Sequence, residues 1–167
     1  MNKEKRFIIA IYVENKAGVL TRVSSMFTRR AFNIDALTVG ETDDPDYSRI
    51  TITLRGDEYL CEQIINQLRK LHNVKKVDVL DDGCIKRQLM LLKVAYNSNT
   101  RAEILAATEV YRAKVIDYTS SEMCIEVTGD PNKVDAFVKL MLPYGILEMC
   151  RTGIVALERG AKTLLNN

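Results

Sequence analysis

The spacing of hydrophobic residues changes in a regular order along the first half of the chain. Residues 6–13 are apolar on both faces of a strand, whereas residues 18–31 carry apolar side chains at helical spacing. Residues 48–55 alternate apolar and polar side chains, which is typical of a half-buried strand. The predicted elements are a strand, a helix, two strands, a helix that Asp57 caps and a strand, over residues 6–13, 18–31, 33–41, 48–55, 57–71 and 74–80. This order is βαββαβ, the ferredoxin-like unit.

The same order recurs after the turn signal Asp81-Asp82-Gly83. The predicted strands of this second half cover residues 85–96, 113–119, 122–128 and 145–151. One helix is predicted to begin at Asn99 or Thr100, and the next at Asp130-Pro131, where proline suits the first helical turn. Residues 153–160 are predicted to form a short helical tail. The predicted fold class is therefore α+β, with two ferredoxin-like units over residues 1–80 and 81–167.

The first strand is apolar on two sides, although a ferredoxin-like unit covers only one face of its sheet with helices. The second face, or the sheet edge, therefore needs another partner, from within the chain or from another chain. Leu89, Leu91 and Leu92 raise the same requirement in the second half. We expect the units to pair and the chain to form at least a dimer.

Composition limits the class of protein more than it indicates a function. The chain has 167 residues, of which 47% are hydrophobic and 28% charged, and its net charge is +2. Charges of both signs are evenly spread, so no basic stripe favours nucleic acid or an anionic membrane. The first apolar segment is too short for a signal sequence or a membrane span. The four cysteines are widely spaced, which predicts reduced packing residues in a cytoplasmic protein; a disulfide pair is the alternative interpretation.

The turn between the first strand and the first helix is the candidate functional site. Gly18 opens the helix and has no side chain, so the backbone N–H groups at the helix start face solvent with the positive end of the helix dipole. This arrangement suits a small carboxylate. Asn15 and Gly18 are also common turn formers, so the spacing alone fits a tight structural turn equally well.

Residue types for catalysis or metal binding are sparse. His72 is the only histidine; it lacks a cysteine or carboxylate at ligand spacing, and we expect it to interact with carbonyls at the end of its helix. Residues 43–46 are acidic but lack the glycine and closing glutamate of a calcium loop. We therefore predict no catalytic residue and no metal site. The enzyme alternative is a small hydrolase of acylphosphatase type, in which the loop over residues 14–22 cradles a phosphate beside Arg22.

The candidate turn lies in a segment that resembles the ligand loop of ACT domains, the ferredoxin-like modules that bind amino acids. This resemblance rests on residues 13–23, Val-Glu-Asn-Lys-Ala-Gly-Val-Leu-Thr-Arg-Val. One family in particular is similar over nearly the whole chain: the small regulatory subunits of acetolactate (acetohydroxyacid) synthase. The segments that carry this wider similarity are residues 32–39, 42–45, 48–51, 116–117 and 151–160.

The resemblance implies regulation rather than catalysis. A chain of this family is expected to bind a catalytic large subunit and raise its activity. It is also expected to confer feedback inhibition by a branched-chain amino acid, usually valine, in valine, leucine and isoleucine biosynthesis. Thiamine diphosphate, Mg and FAD are then expected in the catalytic partner, and no cofactor is expected in this chain.

The resemblance also implies a set of effector-binding residues, and these residues are Asn15, Gly18, Val19, Leu20, Asn33 and Ile34. The asparagine of the turn would hold polar groups of the effector, and the next three residues would present backbone N–H groups to its carboxylate. In this family the site lies between two paired ACT domains. The last two residues would therefore contact an effector bound to the turn of the other copy, in a homodimer formed through residues 1–80.

Overall fold

Residues 5–166 are described by a computed structural model, and they form two compact units. The first unit runs to Ile85 and also includes the segment from Gly153 onward, whereas the second unit is Lys86–Thr152. This differs from the predicted division into 1–80 and 81–167, because the C-terminal segment returns to the first unit.

The first unit has the predicted βαββαβ order. Its strands are β1 (Lys5–Glu14), β2 (Ala36–Glu41), β3 (Tyr47–Gly56) and β4 (Val74–Val79), and its helices are α1 (Val19–Arg29) and α2 (Glu58–Leu68). Asp57 caps α2 as predicted, since its Oδ1 accepts from the N–H of Leu60 at 2.8 Å. The second strand begins later than the predicted residue 33. Residues 33–35 form an irregular connection in which the N–H of Asp35 donates to the Thr53 carbonyl.

The four strands of the first unit are antiparallel and lie in the order β2-β3-β1-β4. One face packs against both helices, and its core contains Ile9, Ile11, Ile52, Phe27 and Ile64, all 0% or 1% exposed. Because β2 is an edge strand, its outer backbone is open to pairing. Leu37 and Val39 on this strand are exposed.

The second unit repeats the same topology. Its strands are β5 (Ile85–Ala95), β6 (Lys114–Tyr118), β7 (Glu122–Gly129) and β8 (Ile146–Arg151), and its helices are α3 (Arg101–Val110) and α4 (Pro131–Met141). The strand order is β6-β7-β5-β8, and the core contains Leu92, Ile125 and Phe137. Two ferredoxin-like units are therefore confirmed.

The second face of the first sheet is covered by the C-terminal segment of the same chain. Ile8 and Ala10 of β1 pack in one cluster with Ile154, Ala156 and Leu164. The side chain of Arg49 on β3 donates to the Ala156 carbonyl at 2.9 Å. The two-sided pattern of β1 is thus satisfied within the chain and does not itself require a second copy.

The predicted helical tail over 153–160 is wrong. This segment is extended and contains a short strand, β9 (Val155–Leu157). Ile154 and Ala156 are buried, whereas Val155 and Leu157 are exposed. The alternation has the period of a strand that lies flat on an apolar surface. The segment was too short for this period to be distinguished from a helix in the sequence.

Candidate ligand-binding site

The turn between β1 and α1 is built around a left-handed glycine. Gly18 is the N-cap of α1 with φ +82°, a region that residues with a β-carbon reach only with strain. Apart from its two chain neighbours, no residue in the range 5–166 has an atom within 4 Å of the point that a β-carbon would occupy. The glycine also opens onto a groove of about 610 Å³ along the helix, and the lining residues are Gly18, Thr21, Arg22, Ser25, Thr28 and Arg29. A ligand can therefore approach the backbone here.

Several backbone N–H groups of this turn are free. Within residues 5–166, the N–H groups of Ala17, Gly18, Leu20 and Thr21 have no hydrogen-bond acceptor. The N–H of Val19 donates to the Lys16 carbonyl at 3.2 Å, so this predicted donor is occupied, and its side chain is buried. No side chain in the described part of the chain caps α1. The free donors at the positive end of the helix suit an anion such as a carboxylate.

Asn15 fastens the turn to the hairpin between β2 and β3. Its Nδ2 donates to Glu41 Oε1 at 3.1 Å and to the Pro45 carbonyl at 3.0 Å. Its backbone N–H donates to the Asp46 carbonyl at 2.7 Å. Both side-chain hydrogens are thus used, and the Oδ1 acceptor is left for a donor on a ligand, such as an ammonium group.

Glu14, the last residue of β1, holds the other side of the turn. Lys75 Nζ lies 2.6 Å from its Oε1. Lys16 Nζ lies 3.1 Å from its Oε2, which also accepts from Asn73 Nδ2 at 2.7 Å. These contacts, with the Lys75 bond the strongest, lower the pKa of the Glu14 carboxyl from 4.5 to about 2. The turn therefore begins at a fixed negative charge.

Arg22 lies in the first turns of α1 and points to the turn before β4. Its guanidinium donates to Asn73 Oδ1 at 2.6 Å and lies 3.3 Å from His72 Nε2. His72 thus meets a side chain rather than the helix carbonyls that were expected. The acylphosphatase-type alternative relies on Arg22 as a phosphate ligand, but the Asn73 bond already engages this residue. Asn73, 59 positions from Glu14, was missed because nothing in the sequence links the two residues.

Asn33 and Ile34 lie apart from the turn within one chain. They precede β2, whereas Asn15 contacts Glu41 at the far end of that strand. The six residues of β2 that separate them span about 17 Å. Asn33 is exposed, and Ile34 packs partly against the core of the first unit. One chain therefore does not bring the two predicted halves of the site together.

The described residues form neither a cluster of metal ligands nor a membrane-spanning helix. Among residues 5–166, no group of three or more His, Cys, Asp and Glu side chains is placed to hold a metal ion. No helix in this range is both long and apolar enough to cross a membrane. All four cysteines are free thiols.

Comparison with known families defines the class of each unit. Residues 9–76 match the model of the AHAS small subunit-like ACT domain, so the first unit is an ACT domain. Residues 87–160 match the model of the small subunit of acetolactate synthase. The candidate turn therefore lies within the ACT match, and the two matches cover both units.

Whole-chain relatives agree with these matches. A probable acetolactate synthase small subunit of Archaeoglobus fulgidus is 47% identical over 92% of this chain and 97% of its own length. The acetolactate synthase small subunit of Mycolicibacterium smegmatis is 43% identical over 92% of this chain and 91% of its own length. The crystal structure of the Thermotoga maritima small subunit has a TM-score of 0.88 and 37% identity, covering 95% of this chain and 99% of that one. The chain belongs to the family of acetolactate synthase small subunits, and the predicted resemblance is confirmed.

Proposed function

We propose that this chain is the non-catalytic regulatory subunit that binds and activates the catalytic large subunit of acetolactate synthase. We further propose that it confers feedback inhibition by a branched-chain amino acid, with valine as the first candidate. Thiamine diphosphate, Mg and FAD would then belong to the catalytic partner. Family membership supports the partner, and the turn of the ACT domain supports the effector.

The free N–H groups around Gly18 are the observation that carries this proposal. The Asp57 carboxylate caps α2 by accepting from a backbone N–H, and an effector carboxylate would do the same at α1. The Oδ1 of Asn15 would accept from the effector ammonium group, with the Glu41 carboxylate beside it. An α-amino acid offers both groups on one carbon, which fits a turn that presents donors and an acceptor together.

The geometry of β2 supports a site shared by two copies. Its outer edge is unpaired among the described strands, and Leu37 and Val39 are exposed beside it. Antiparallel pairing of this edge with the same edge of a second copy would set the start of one β2 beside the end of the other. Asn33 and Ile34 of one copy would then approach the turn of the other, where Asn15 contacts Glu41.

A shared site gives the effector a means of control. An amino acid that contacts two copies stabilises the dimer arrangement in which both contacts form. The catalytic subunit responds if it binds one arrangement more tightly than another, since binding at the two sites is then thermodynamically coupled. In this proposal the ACT domains of two copies pair and bind the effector between them. The resulting change in dimer arrangement alters the catalytic subunit that is bound to them.

Reconstitution tests the whole proposal. The chain is mixed with its catalytic subunit, and valine, leucine and isoleucine are each titrated against acetolactate formation. We expect the chain to raise activity and one of the three amino acids to lower it again. Activity unaffected by the chain, or by all three amino acids in its presence, would contradict the corresponding part of the proposal.

Mixing two defective variants tests whether the site is shared. Gly18→Asp disables the turn, and Asn33→Ala disables the facing half; each alone should lose effector binding. A mixed dimer would join the intact turn of one variant to the intact Asn33 of the other. Random exchange of subunits should restore about a quarter of the sites, because half of the dimers are mixed and each has one intact site. No recovery after exchange would contradict a shared site.

The enzyme alternative has its own measurement. The purified chain should form no acetolactate and hydrolyse no acyl phosphate when assayed alone. Robust turnover that Arg22→Ala abolishes would favour the acylphosphatase-type alternative instead.

A further inference from the structure

Asn73 is a buried polar residue whose side chain forms hydrogen bonds to both sides of the candidate turn. It lies between α2 and β4 and is 6% exposed. Its Nδ2 donates to Glu14 Oε2 at 2.7 Å, and its Oδ1 accepts from the Arg22 guanidinium at 2.6 Å. Its backbone carbonyl also accepts from the N–H of Glu14 at 2.9 Å. One side chain therefore joins the end of β1 to the start of α1.

The hydrogen bonds from Asn73 to Glu14 and Arg22, which we call the bracket, lie on either side of the free N–H groups. Glu14 is the last residue of β1, directly before the turn. Arg22 lies one helical turn after Gly18, and its N–H donates to the Gly18 carbonyl at 3.0 Å. A large shift of α1 relative to β1 would lengthen the hydrogen bond on one side of Asn73. Because the free N–H groups lie between these two elements, their orientation depends on how the elements are held together.

The chemistry of the bracket requires an amide at position 73. On one side it faces the Glu14 carboxylate, which needs a donor, and on the other the Arg22 guanidinium, which needs an acceptor. Lys75 and Lys16 hold the remaining contacts of Glu14, and His72 lies beside Arg22. A carboxylate or an apolar side chain at position 73 would satisfy at most one of the two partners.

We propose that Asn73 is a positioning residue for the effector site, holding the N–H groups of the turn in the orientation that binds the effector carboxylate. It does not touch the effector itself. This inference rests on the proposed amino-acid effector, but Asn73 is not one of the effector-binding residues that the family resemblance implies. Loss of a hydrogen bond to a charged group is expected to weaken binding about 10- to 140-fold, which is roughly 1.5–3 kcal/mol.

The test exchanges the donor and the acceptor of the hydrogen bond between residues 73 and 14 in the full-length chain. Asn73→Asp keeps the size of the side chain and the acceptor for Arg22, but it sets a second carboxylate against Glu14. Combining it with Glu14→Gln lets the new glutamine amide donate to the new aspartate, so the bridge forms again in the opposite sense. Calorimetry measures the affinity of each variant for valine, leucine and isoleucine, and thermal unfolding is recorded in parallel. Asn66→Asp on the exposed side of α2 makes the same charge change away from the turn.

We expect Asn73→Asp to weaken effector binding at least about 10-fold, and the double variant to bind clearly more tightly than the combined losses of the single variants Asn73→Asp and Glu14→Gln predict. Asn66→Asp should bind like the unchanged chain. Recovery in the double variant distinguishes positioning from a general loss of structure, because the sum of two merely destabilising changes would bind more weakly still. If Asn73→Asp does not fold, Asn73→Ala supplies the single-variant measurement, since it removes both bonds without adding a repulsion.

Two results would contradict the inference and one would contradict its premise. Wild-type affinity in a folded Asn73→Asp or Asn73→Ala variant would show that the bracket does not shape the site. A double variant that folds but binds no better than the combined losses of the single variants Asn73→Asp and Glu14→Gln predict would show that the bond between residues 73 and 14 does not shape the site. Absence of binding by the unchanged chain itself would instead contradict the proposed effector.

Discussion

The turns that open the first helix of each unit occupy the same place in the topology, but they use their backbone N–H groups differently. In the first unit, a left-handed glycine begins α1 and several N–H groups remain free. In the second unit, Asn97 Oδ1 accepts from the N–H groups of Asn99 and Thr100 at 2.9 and 3.0 Å. The N–H of Asn97 in turn donates to Thr100 Oγ1 at 3.0 Å. The two N–H groups that directly precede α3 are therefore taken by the side chain of Asn97, although no side chain among the described residues caps α3 itself.

This difference teaches that the topology provides a place for a ligand but does not by itself make a site. A helix start offers donors in any protein, and most proteins satisfy them with local side chains. Asp57 and Asp130 do so for α2 and α4. The first turn lacks such a side chain, and the donors there are available to an external carboxylate.

The largest expected effect is on the open turn. Gly18→Asp should weaken effector binding at least about 100-fold, because two carboxylates about 4 Å apart repel by roughly 4 kcal/mol near a protein surface. Calorimetry on the full-length chain measures the affinity. Ser98→Asp introduces the same charge on the exposed second turn, and it should leave the affinity unchanged.

Gly18→Asn separates charge from backbone strain in this experiment. Asparagine tolerates the left-handed region better than other residues with a β-carbon, and it has nearly the shape of aspartate. We expect it to retain much more affinity than the aspartate variant. Equal losses in both variants would mean that backbone geometry, rather than the effector's carboxylate, accounts for the sensitivity of Gly18.

The two faces of the first sheet also differ, because the helices cover one face and the C-terminal segment covers the other. A substitution in this segment is expected to have a large effect on stability. A β-carbon at Gly153 would lie 2.8 Å from the Leu37 carbonyl oxygen and in contact with Thr38 Oγ1. Gly153→Ala should therefore displace the C-terminal segment from the sheet and lower the free energy of unfolding of the first unit by about 1–3 kcal/mol. Chemical denaturation measures this change.

Gly83→Ala is the matched control for the tail, since no atom lies within 4 Å of its β-carbon position. It should leave the unfolding midpoint of the first unit nearly unchanged. If both alanine variants unfold alike, the close contact between Gly153 and β2 does not contribute to stability. The segment that covers Ile8 and Ala10 would then be held by its apolar side chains and by the hydrogen bond from Arg49 to the Ala156 carbonyl.

Local patterns in the sequence were enough to predict most of the fold. The periods of β1 and α1, and the caps at Asp57 and Asp130, are properties of neighbouring residues, so they could be recognised without the structure. The tail over 153–160 could not, because its strand is specified by the surface of a sheet formed more than one hundred residues earlier. Tertiary packing decided its conformation.

The candidate site, like the fold, has parts that the sequence reveals and parts that only the folded chain shows. Gly18 was recognisable as the glycine that opens a helix, and the family resemblance added Asn15, Asn33 and Ile34. The actual hydrogen-bond state of the turn was not recognisable: Val19 was expected to offer its N–H, but Lys16 accepts it. Asn73 carries no local signal, since its partners are distant in sequence and only the folded chain brings them together.

A smaller effect is expected when the closed turn is opened. Asn97→Ala removes the acceptor for the two N–H groups that directly precede α3, so the second unit should lose about 0.5–1.5 kcal/mol of stability while effector binding stays unchanged. Hydrogen exchange of the second unit measures the loss. Asn97→Asp keeps an acceptor at the same position and should exchange like the unchanged chain. A loss of effector affinity in Asn97→Ala would contradict the assignment of the second turn as structural.

The mildest expected effect is a difference in acid sensitivity between the two turns. The pKa of the Glu14 carboxyl is lowered from 4.5 to about 2 by Lys75, Asn73 and Lys16. Its ionised form is therefore favoured by folding, and the stabilisation is complete above pH 4.5 and lost as the pH falls toward 2. Asn97 and Thr100, which close the second turn, do not titrate in this range.

Glu14→Gln tests this contrast because it removes the titrating group and keeps its size. The unchanged chain should be more stable than the variant at neutral pH, and the difference should shrink as the pH falls from 4.5 toward 2. Hydrogen exchange, corrected for its intrinsic pH dependence, should show the Val19 N–H losing protection over this interval in the unchanged chain. The Thr100 N–H should keep its protection over the same interval. A stability difference that stays constant down to the lowest pH would mean that the ion pairs of Glu14 do not hold the first turn.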